Sequence, residues 1–287
     1  MTATIIYGDQ LSKTLRVEMK EEIANLKSRG IHPKLTVVLI GDHPASKSYV
    51  SGKQKAADFV GMESELIQLP GETTEAELLS LIDQLNNDSA VDGILVQLPL
   101  PDHIDEQLVI EAISPTKDVD GFHPINIGKM MIGQDTFLPC TPYGILTMLK
   151  LNKIEIAGKH AVVIGRSNIV GKPVGQLLLN ENATVTYCHS KTANMKEIVQ
   201  QADIVIVAVG RARMIDATYI KEGAAVIDVG INRIDDGSLT GDVDFESVKK
   251  QAGFLTPVPK GVGPMTITML LKNTIKAAID HATKVTN

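Results

Sequence analysis

Blocks of apolar and polar residues alternate along the chain and have the lengths of strands and helices. In the first half, short apolar runs are separated by longer segments with helical periodicity. The predicted strands are residues 36–40, 65–69 and 93–98, and the predicted helices are residues 45–60, 74–85 and 103–113. Strands and helices in this order predict a parallel sheet whose crossover connections are right-handed.

Residues 114–142 interrupt this alternation. Pro, Gly and Asp are dense in the segment and its periodicity is weak, so we expect ordered irregular structure there. A long segment of this kind in a compact protein is usually functional or a linker. Residues 143–151 then predict a helix that joins two domains.

The alternation starts again in the second half of the chain. Apolar runs rich in Val and Ile are typical of strands buried in a parallel sheet. The runs with this character are residues 160–165, 184–188, 203–210 and 224–230. Residues 266–282 are amphipathic and predict a final helix, which we expect to pack back on the first domain.

The composition narrows the class of protein. The net charge of −6 argues against nucleic-acid binding, which requires a basic face. No apolar run is long enough to span a bilayer, and the N-terminal residues lack the pattern of a signal peptide. The two cysteines, Cys140 and Cys188, are far apart and lack metal-site spacing. We therefore expect a cytoplasmic protein with reduced thiols, no metal site and no membrane association.

A glycine-containing segment at residues 162–179, VVIGRSNIVGKPVGQLLL, reads as strand, tight turn and helix. Gly165 can make the turn, Gly171 permits close packing of the helix, and the helix N-terminus offers N–H groups to a pyrophosphate. Ser167 stands where a second glycine is usual, although its hydroxyl could bond a phosphate. The segment predicts a dinucleotide site, with an ordinary βα turn as the alternative.

The next strand indicates which dinucleotide binds. An NAD site normally places a carboxylate at the end of this strand to hold the ribose 2′-hydroxyl. Here the strand is followed by His189, Ser190 and Lys191, and Arg166 can approach the same point. A guanidinium and a hydroxyl suit a 2′-phosphate, so we predict NADP rather than a solvated basic turn. Ile231 follows a further strand, and its backbone could meet the nicotinamide carboxamide.

The sequence therefore predicts an α/β fold of two domains with a cleft between them. The first is an α/β substrate domain of residues 1–142, completed by a C-terminal helix at residues 265–287. The second is a Rossmann-type NADP-binding domain of residues 143–264.

Candidate groups for substrate chemistry lie upstream of the glycine turn. In YVSGK, Tyr49 and Lys53 share one helix face. Short-chain dehydrogenases have the same spacing, but there it lies downstream of the glycine-rich loop. Gln97 ends the strand in VQLPLP, and Asp118 and Asp120 lie in KDVDG. Taken singly, each residue also has a purely structural explanation, such as a turn former or a solvated helix residue.

The order of these motifs along the chain adds a resemblance to a known family. The string YVSGK, VQLPLP, KDVDGFHPINIGK, PCTPYGIL, GRSNIVGKP, CHSKT, VIDVGIN, GDVDF and TPVPKGVGPMT covers nearly the whole sequence. It closely resembles the bifunctional methylenetetrahydrofolate dehydrogenase/methenyltetrahydrofolate cyclohydrolase family. The chain ends after the final predicted helix, which is similar to the bacterial-type form without a ligase domain.

The resemblance implies a function and a set of site residues. Family members oxidise 5,10-methylenetetrahydrofolate with NADP and hydrolyse the 5,10-methenyl product to 10-formyltetrahydrofolate, in one-carbon metabolism. The first domain would then bind folate, and a homodimer would pair through the nucleotide domains. The match makes Lys53 the catalytic lysine and Tyr49 its partner beside the folate, with Gln97 tuning Lys53. It makes Asp120 the carboxylate that holds the pterin, and Pro264 a wall of the same cleft. The residues implied to contact NADP are Gly165, Arg166, Ser167, Ser190 and Ile231.

The sequence departs from the family pattern at two places. Lys260 stands in TPVPKGVGPMT where the family usually has glycine. If that glycine has positive φ, a lysine costs about 1 kcal/mol or more. The opening IIYGDQLSK also matches the family's N-terminal strand less well, but it carries no proposed chemistry.

The residue types leave the role of Lys53 open. A lysine with the ordinary pKa of about 10.4 is a poor base at neutral pH. Burial near the Gln97 amide and the Tyr49 hydroxyl could make it a competent base. Alternatively, a permanent ammonium could stabilise the developing alkoxide. Two other functions remain as alternatives: an NADP dehydrogenase of the shikimate or amino-acid type, and a non-enzymatic nucleotide-sensing module.

Overall fold

The fold is that of a computed structural model, which describes residues 2–285. Met1, Thr286 and Asn287, which the predicted domain boundaries include, lie outside the described residues. In the described part of the chain, no helix is both long and apolar enough to cross a membrane.

Strands and helices alternate through both halves of the chain. The strands are β1 (Thr4–Ile5), β2 (Lys34–Ile40), β3 (Glu63–Leu69), β4 (Gly93–Val96), β5 (His160–Ile164), β6 (Thr184–Cys188), β7 (Ile204–Val207), β8 (Ala225–Asp228), β9 (Asn232–Arg233), β10 (Leu239–Thr240) and β11 (Phe254–Leu255). The helices are α1 (Gly8–Ser28), α2 (Pro44–Val60), α3 (Glu75–Asn87), α4 (Glu106–Ala112), α5 (Pro124–Met131), α6 (Cys140–Leu151), α7 (Gly171–Asn180), α8 (Met195–Val199), α9 (Phe245–Val248) and α10 (Val262–Val285). A short 3₁₀ helix spans Ala217–Tyr219.

The chain is divided into two compact units. The large-sheet unit consists of Met1–Lys13 and Thr141–Thr266, and the small-sheet unit consists of Thr14–Cys140 and Ile267–Asn287. The first thirteen residues group with the second half because β1 pairs in parallel with β11. A two-residue strand is too short to show in the hydrophobic pattern, so the predicted boundary placed these residues in the first domain.

The large-sheet unit has the Rossmann-type topology that the sequence predicts. Within the described residues its sheet has six strands in the order β1-β11-β8-β7-β5-β6, and every neighbouring pair is parallel. Because β5 pairs with β6 on one side and β7 on the other, the strand order reverses at β5. Ligands of open α/β sheets bind at the carboxyl ends of the strands at such a reversal.

The small-sheet unit is a parallel sheet of three strands covered by helices. Its strands run in the order β3-β2-β4, and helices α3 and α4 supply Leu78, Ile82 and Val109 to the core. Helix α3 begins at a capping box, in which Thr74 and Glu77 bond each other's backbone N–H groups. The C-terminal part of α10 belongs to this unit, as predicted, and Asn273 donates to the carbonyl oxygens of Val119 and Leu138.

The sequence prediction names no helix at four places where the structure has one, namely α1, α5, α8 and α9. Residues 114–142, predicted to be irregular, contain α5, which has Pro124 at its first position. His123 caps this helix, because its Nδ1 accepts the Ile125 N–H. The sequence prediction also lacks α1, whose buried face carries Met19, Ile23 and Leu26 at spacings of four and three residues. Its polar residues outnumber these apolar ones, which weakens the pattern.

Candidate active site

The glycine turn after β5 has a backbone that only glycine fits. Gly165 has φ +125°, and a Cβ there would clash with the carbonyl oxygen of Ala208, which follows β7. A Cβ on Gly171 would lie 2.6 Å from the Gly165 carbonyl oxygen. The start of α7 therefore approaches the end of β5 closely, as the dinucleotide motif requires.

Ser167 is explained by the local hydrogen bonds of this turn. Its Oγ accepts the backbone N–H groups of Val170 and Gly171, each at 3.2 Å. The hydroxyl thus caps the start of α7, and its own proton is left for a further acceptor. An N–H cradle with a hydroxyl donor fits a phosphate group.

Arg166 and Ser190 lie at the same edge of the sheet. Ile164 in β5 and Cys188 in β6 are register partners. Arg166 lies two positions after Ile164, and Ser190 lies two positions after Cys188. The loop after β6 is held by an N–H bond from His189 to Thr192 Oγ1 at 2.9 Å. No Asp or Glu lies between residues 188 and 196, so a 2′-phosphate here would meet no nearby loop carboxylate.

Ile231 and Pro264 line one depression in the large-sheet unit. The depression is also lined by Asp228, Leu239 and Lys260. Ile231 is 60% exposed although it follows a buried strand. Two residues that the sequence assigned to cofactor and substrate thus share one surface.

Lys260 has the strained backbone that was expected at a position where the family usually has glycine. Its φ is +81°, in the region that favours glycine. Its carbonyl oxygen accepts the Asp9 N–H at 3.1 Å, which helps to hold the loop before α10 in this conformation.

Replacing Lys260 with glycine should therefore stabilise the protein. We expect Lys260→Gly to raise the free energy of unfolding by about 1 kcal/mol, because the strain disappears. Urea unfolding measures the change, with Lys250→Gly as the control. Lys250 is exposed and has no positive φ, so its replacement should lower stability by roughly 0.5–1 kcal/mol. A lower stability for Lys260→Gly would contradict this prediction.

Lys53 is buried in the small-sheet unit and held by an amide. Only 4% of the residue is exposed, and its Nζ donates to Gln97 Oε1 at 2.9 Å. The Gln97 Nε2 donates to the Leu98 carbonyl oxygen at 2.6 Å, which orients Oε1 toward the lysine. Gln97 directly follows β4, so the end of a rigid strand positions the acceptor.

Tyr49 lies one helical turn before Lys53 on α2. The Lys53 Nζ is 4.9 Å from the centre of the Tyr49 ring. The two residues therefore lie on one face of the helix, as their spacing predicts. Contact with the π face favours a positive charge on the amine.

Asp118 and Asp120 have different surroundings, although the sequence presents them as a pair. Asp118 accepts N–H bonds from Gly121, Phe122 and His123 and a fourth from Asn126 Nδ2. It therefore fixes the loop of residues 118–126, which is joined to β4 by a bridge between Ile94 and Asp118. Burial raises the pKa of Asp118 to about 7. Asp120 instead interacts with Lys53.

Cys140 is a site residue that sequence reasoning missed. Its buried thiol donates to the Val119 carbonyl oxygen at 3.3 Å and also hydrogen-bonds Asp120. Burial and the charge of Asp120 raise the pKa of the thiol well above its usual value. Cys140 is therefore a neutral thiol beside Asp120, and its place in PCTPYGIL was the available signal.

Burial shifts the pKa values of the two charged groups in opposite directions. It lowers the pKa of Lys53, and the charge of Asp120 opposes that shift. It raises the pKa of Asp120, and the charge of Lys53 opposes that shift. Both changes favour neutral forms, so Lys53 can exchange a proton nearer neutral pH than an exposed lysine can.

These features define a class of protein. A glycine turn at the strand reversal of a parallel sheet is typical of enzymes that bind a nicotinamide dinucleotide. A buried lysine held by an amide and a carboxylate adds a group suited to proton transfer.

Comparison with known proteins is consistent with this class and defines the family. Residues 6–120 match the catalytic domain of tetrahydrofolate dehydrogenase/cyclohydrolase, and residues 139–282 match its NAD(P)-binding domain. The bifunctional protein FolD of Oceanobacillus iheyensis is 67% identical over 96% of this chain and 97% of the relative. The chain belongs to the tetrahydrofolate dehydrogenase/cyclohydrolase family.

Solved structures of family members have the same fold. The bifunctional FolD dehydrogenase/cyclohydrolase of Campylobacter jejuni is 50% identical, with a TM-score of 0.95 over 97% of this chain and 99% of that one. The dehydrogenase-cyclohydrolase of Trypanosoma brucei, solved with NADP cofactor and an inhibitor, is 39% identical, with a TM-score of 0.94 over 98% of this chain and 99% of that one. The predicted family, fold class and bifunctional enzyme class are confirmed, and the two alternative functions are not supported.

Proposed function

We propose that this bifunctional enzyme oxidises 5,10-methylenetetrahydrofolate with NADP and hydrolyses the 5,10-methenyl product to 10-formyltetrahydrofolate at Lys53. The observation that carries the hydrolytic assignment is the buried Lys53 Nζ, held at 2.9 Å from Gln97 Oε1. Family membership supports the two reactions.

The large-sheet unit fits the cofactor through the space that glycine leaves. A Cβ on Gly165 would clash with neighbouring backbone, so only glycine fits this turn. Such a backbone supports close approach of a pyrophosphate beside the Ser167 hydroxyl. Arg166 and Ser190 would hold the 2′-phosphate, and the backbone at Ile231 the carboxamide. When bound, NADP supplies the acceptor for the hydride.

Hydride transfer requires alignment more than acid or base chemistry. The carbon that loses the hydride is flanked by two nitrogens, whose lone pairs stabilise the resulting cation. The task of the protein is then to hold the folate in place. Asp120 would accept hydrogen bonds from the pterin, and Tyr49 would contact the folate.

Hydrolysis requires a proton acceptor. Water adds to the methenyl carbon and passes one proton to Lys53 Nζ. The bond from that carbon to N5 then breaks as N5 gains the hydroxyl proton, which leaves a formyl group on N10. The lowered pKa of Lys53 supports the neutral amine as the acceptor, with Gln97 orienting it.

The two steps can be followed separately by absorbance. The enzyme is mixed with methylenetetrahydrofolate and either NADP or NAD, and the NADPH and methenyl signals are recorded. We expect NADPH to form without lasting methenyl product and NADP to be preferred. Binding of NADP without turnover would overturn the proposed function.

Variants of the cofactor loop complete this experiment. Arg166→Ala should lower kcat/KM for NADP by about 10- to 100-fold, because a charge-assisted bond to the 2′-phosphate is lost. The kcat/KM for NAD should change by less than about threefold, since NAD lacks that phosphate. Arg29→Ala, an exposed arginine of the other unit, is the control. An unchanged NADP preference in Arg166→Ala and Ser190→Ala would remove the assignment.

Assembly and location complete the proposal. The family resemblance implies a homodimer through the nucleotide-binding unit, and β6 at the edge of the six-stranded sheet, with exposed Tyr187, supports this. A monomer in sedimentation equilibrium would contradict it.

The buried, unbridged thiols of Cys140 and Cys188 support a cytoplasmic location, which fractionation of the host cells would test.

A further inference from the structure

Two buried aspartates of the large-sheet unit bind the backbone at the carboxyl ends of its strands. Asp242 has no exposed surface, and its carboxylate accepts the successive N–H groups of Val209, Gly210 and Arg211 at 2.6, 2.9 and 2.8 Å. It also accepts Asn232 Nδ2 at 2.9 Å. One side chain thus ties the loop after β7 to β9.

Asp228 forms the second half of this arrangement. It ends β8 and is 3% exposed, and its carboxylate accepts the N–H groups of Gly230, Asp242 and Val243, each at 3.0 Å. Burial raises its pKa to about 7, although these three bonds oppose the shift. We call Asp228 and Asp242 together the carboxylate clasp.

The packing around the clasp leaves no space for a side chain at Gly230 or Gly241. A Cβ on Gly230 would clash with the Asp242 carboxylate, and a Cβ on Gly241 would clash with the Asp228 carboxylate. Each of the four carboxylate oxygens already accepts at least one N–H group. The clasp therefore fixes protein backbone and is not itself a ligand site.

The backbone that it fixes is the surface assigned to the cofactor. Ile231 lies between Gly230 and Asn232, which are bonded to the two different aspartates. The loop at Val209 follows Ala208, whose carbonyl oxygen packs against Gly165. Both the predicted carboxamide contact and the wall of the glycine turn thus depend on the same two carboxylates.

We propose that Asp228 and Asp242 are positioning residues of the dehydrogenase, which hold the backbone at Ile231 and Val209–Arg211 in the geometry that aligns the nicotinamide ring for hydride transfer. This inference rests on the proposed function of the large-sheet unit. The phosphates would be held elsewhere, at Gly165–Ser167 and Ser190. Loss of the clasp should therefore affect the rate of hydride transfer more than the affinity for NADP.

Asp242→Asn tests the proposal, because the shape is kept while an N–H donor replaces an acceptor oxygen. We expect the single-turnover rate of hydride transfer to fall roughly 100-fold, since misplacement near 1 Å has that effect. The Kd for NADP should change by less than about fivefold, because the phosphate contacts remain. Cyclohydrolase activity, assayed with methenyltetrahydrofolate and no NADP, should stay within about twofold, because the Lys53 site lies in the small-sheet unit.

Two further variants make the result decisive. Asn232→Ala removes one donor to Asp242 and should cause a smaller fall in the same rate. Asp244→Asn is the matched control: Asp244 Oδ1 caps α9 through the Ser247 N–H, and asparagine caps equally well. Equal loss of both activities, or an unchanged hydride-transfer rate in both Asp242→Asn and Asn232→Ala, would overturn the clasp proposal. Absence of dehydrogenase activity in the unmodified enzyme would instead refute the proposed function.

Discussion

Lys53→Met should lower the cyclohydrolase kcat by about 100- to 10,000-fold, the range that general-base catalysis contributes. Methionine keeps the length and apolar stem of the side chain but cannot accept a proton from water. Hydride transfer should stay within about tenfold, because that step requires alignment and no base. The two rates are measured in separate assays, one with methenyltetrahydrofolate alone and one with methylenetetrahydrofolate and NADP.

Lys55→Met is the matched control for this variant. Lys55 lies on the same helix but is exposed, so its replacement should change neither rate. A Lys53→Met enzyme that loses both activities by the same factor would contradict the division of roles.

Lys53→Arg separates the two roles that the sequence left open. A guanidinium stays charged, so it could replace a permanent ammonium but could not accept a proton. We expect Lys53→Arg to be as inactive in hydrolysis as Lys53→Met. Since burial lowers the lysine pKa, the cyclohydrolase rate of the unmodified enzyme should rise with pH and level off below the ordinary lysine pKa. Partial activity of Lys53→Arg with a flat pH profile would favour the ammonium role.

The longer strands of both units, β2 to β8, could be predicted from the sequence because buried parallel strands are dense in apolar residues, whereas the two-residue strands β1, β9, β10 and β11 were missed. Residues 184–188 match β6 in full, and the glycine turn has the positive φ and close packing that its motif indicates. The missed β1 contributes two residues, and its place in the sheet depends on β11, which lies some 250 residues away along the chain. Local patterns carry no information about such a pairing.

The site residues were predictable in type but not in arrangement. The helical spacing placed Tyr49 and Lys53 together, whereas the approach of Gln97 to Lys53 depends on how β4 packs near α2. The sequence could not separate Asp118 from Asp120, because both lie in one short segment and differ only in the direction of their side chains. Asp118 turns toward four donors, and Asp120 turns toward Lys53.

Gly165→Ala should have the opposite effect to Lys53→Met, because it should impair the dehydrogenase reaction and spare hydrolysis. A Cβ at this position would meet the Ala208 carbonyl oxygen, so either the turn or the loop after β7 must move. Since this surface is assigned to the pyrophosphate, kcat/KM for NADP in the dehydrogenase reaction should fall by roughly 100-fold or more. Cyclohydrolase activity without NADP should be kept, because Lys53, Gln97 and Asp120 belong to the other compact unit.

Gly158→Ala separates this effect from simple backbone strain. Gly158 has φ +73°, but a Cβ there would have no neighbour within 4 Å. Its replacement should therefore cost about 1 kcal/mol of stability through strain and leave both activities unchanged. If Gly165→Ala matches Gly158→Ala in dehydrogenase activity, the glycine turn does not bind the cofactor. If it loses both activities, the two reactions do not depend on separate units, and the assignment of Lys53 to hydrolysis alone loses its main support.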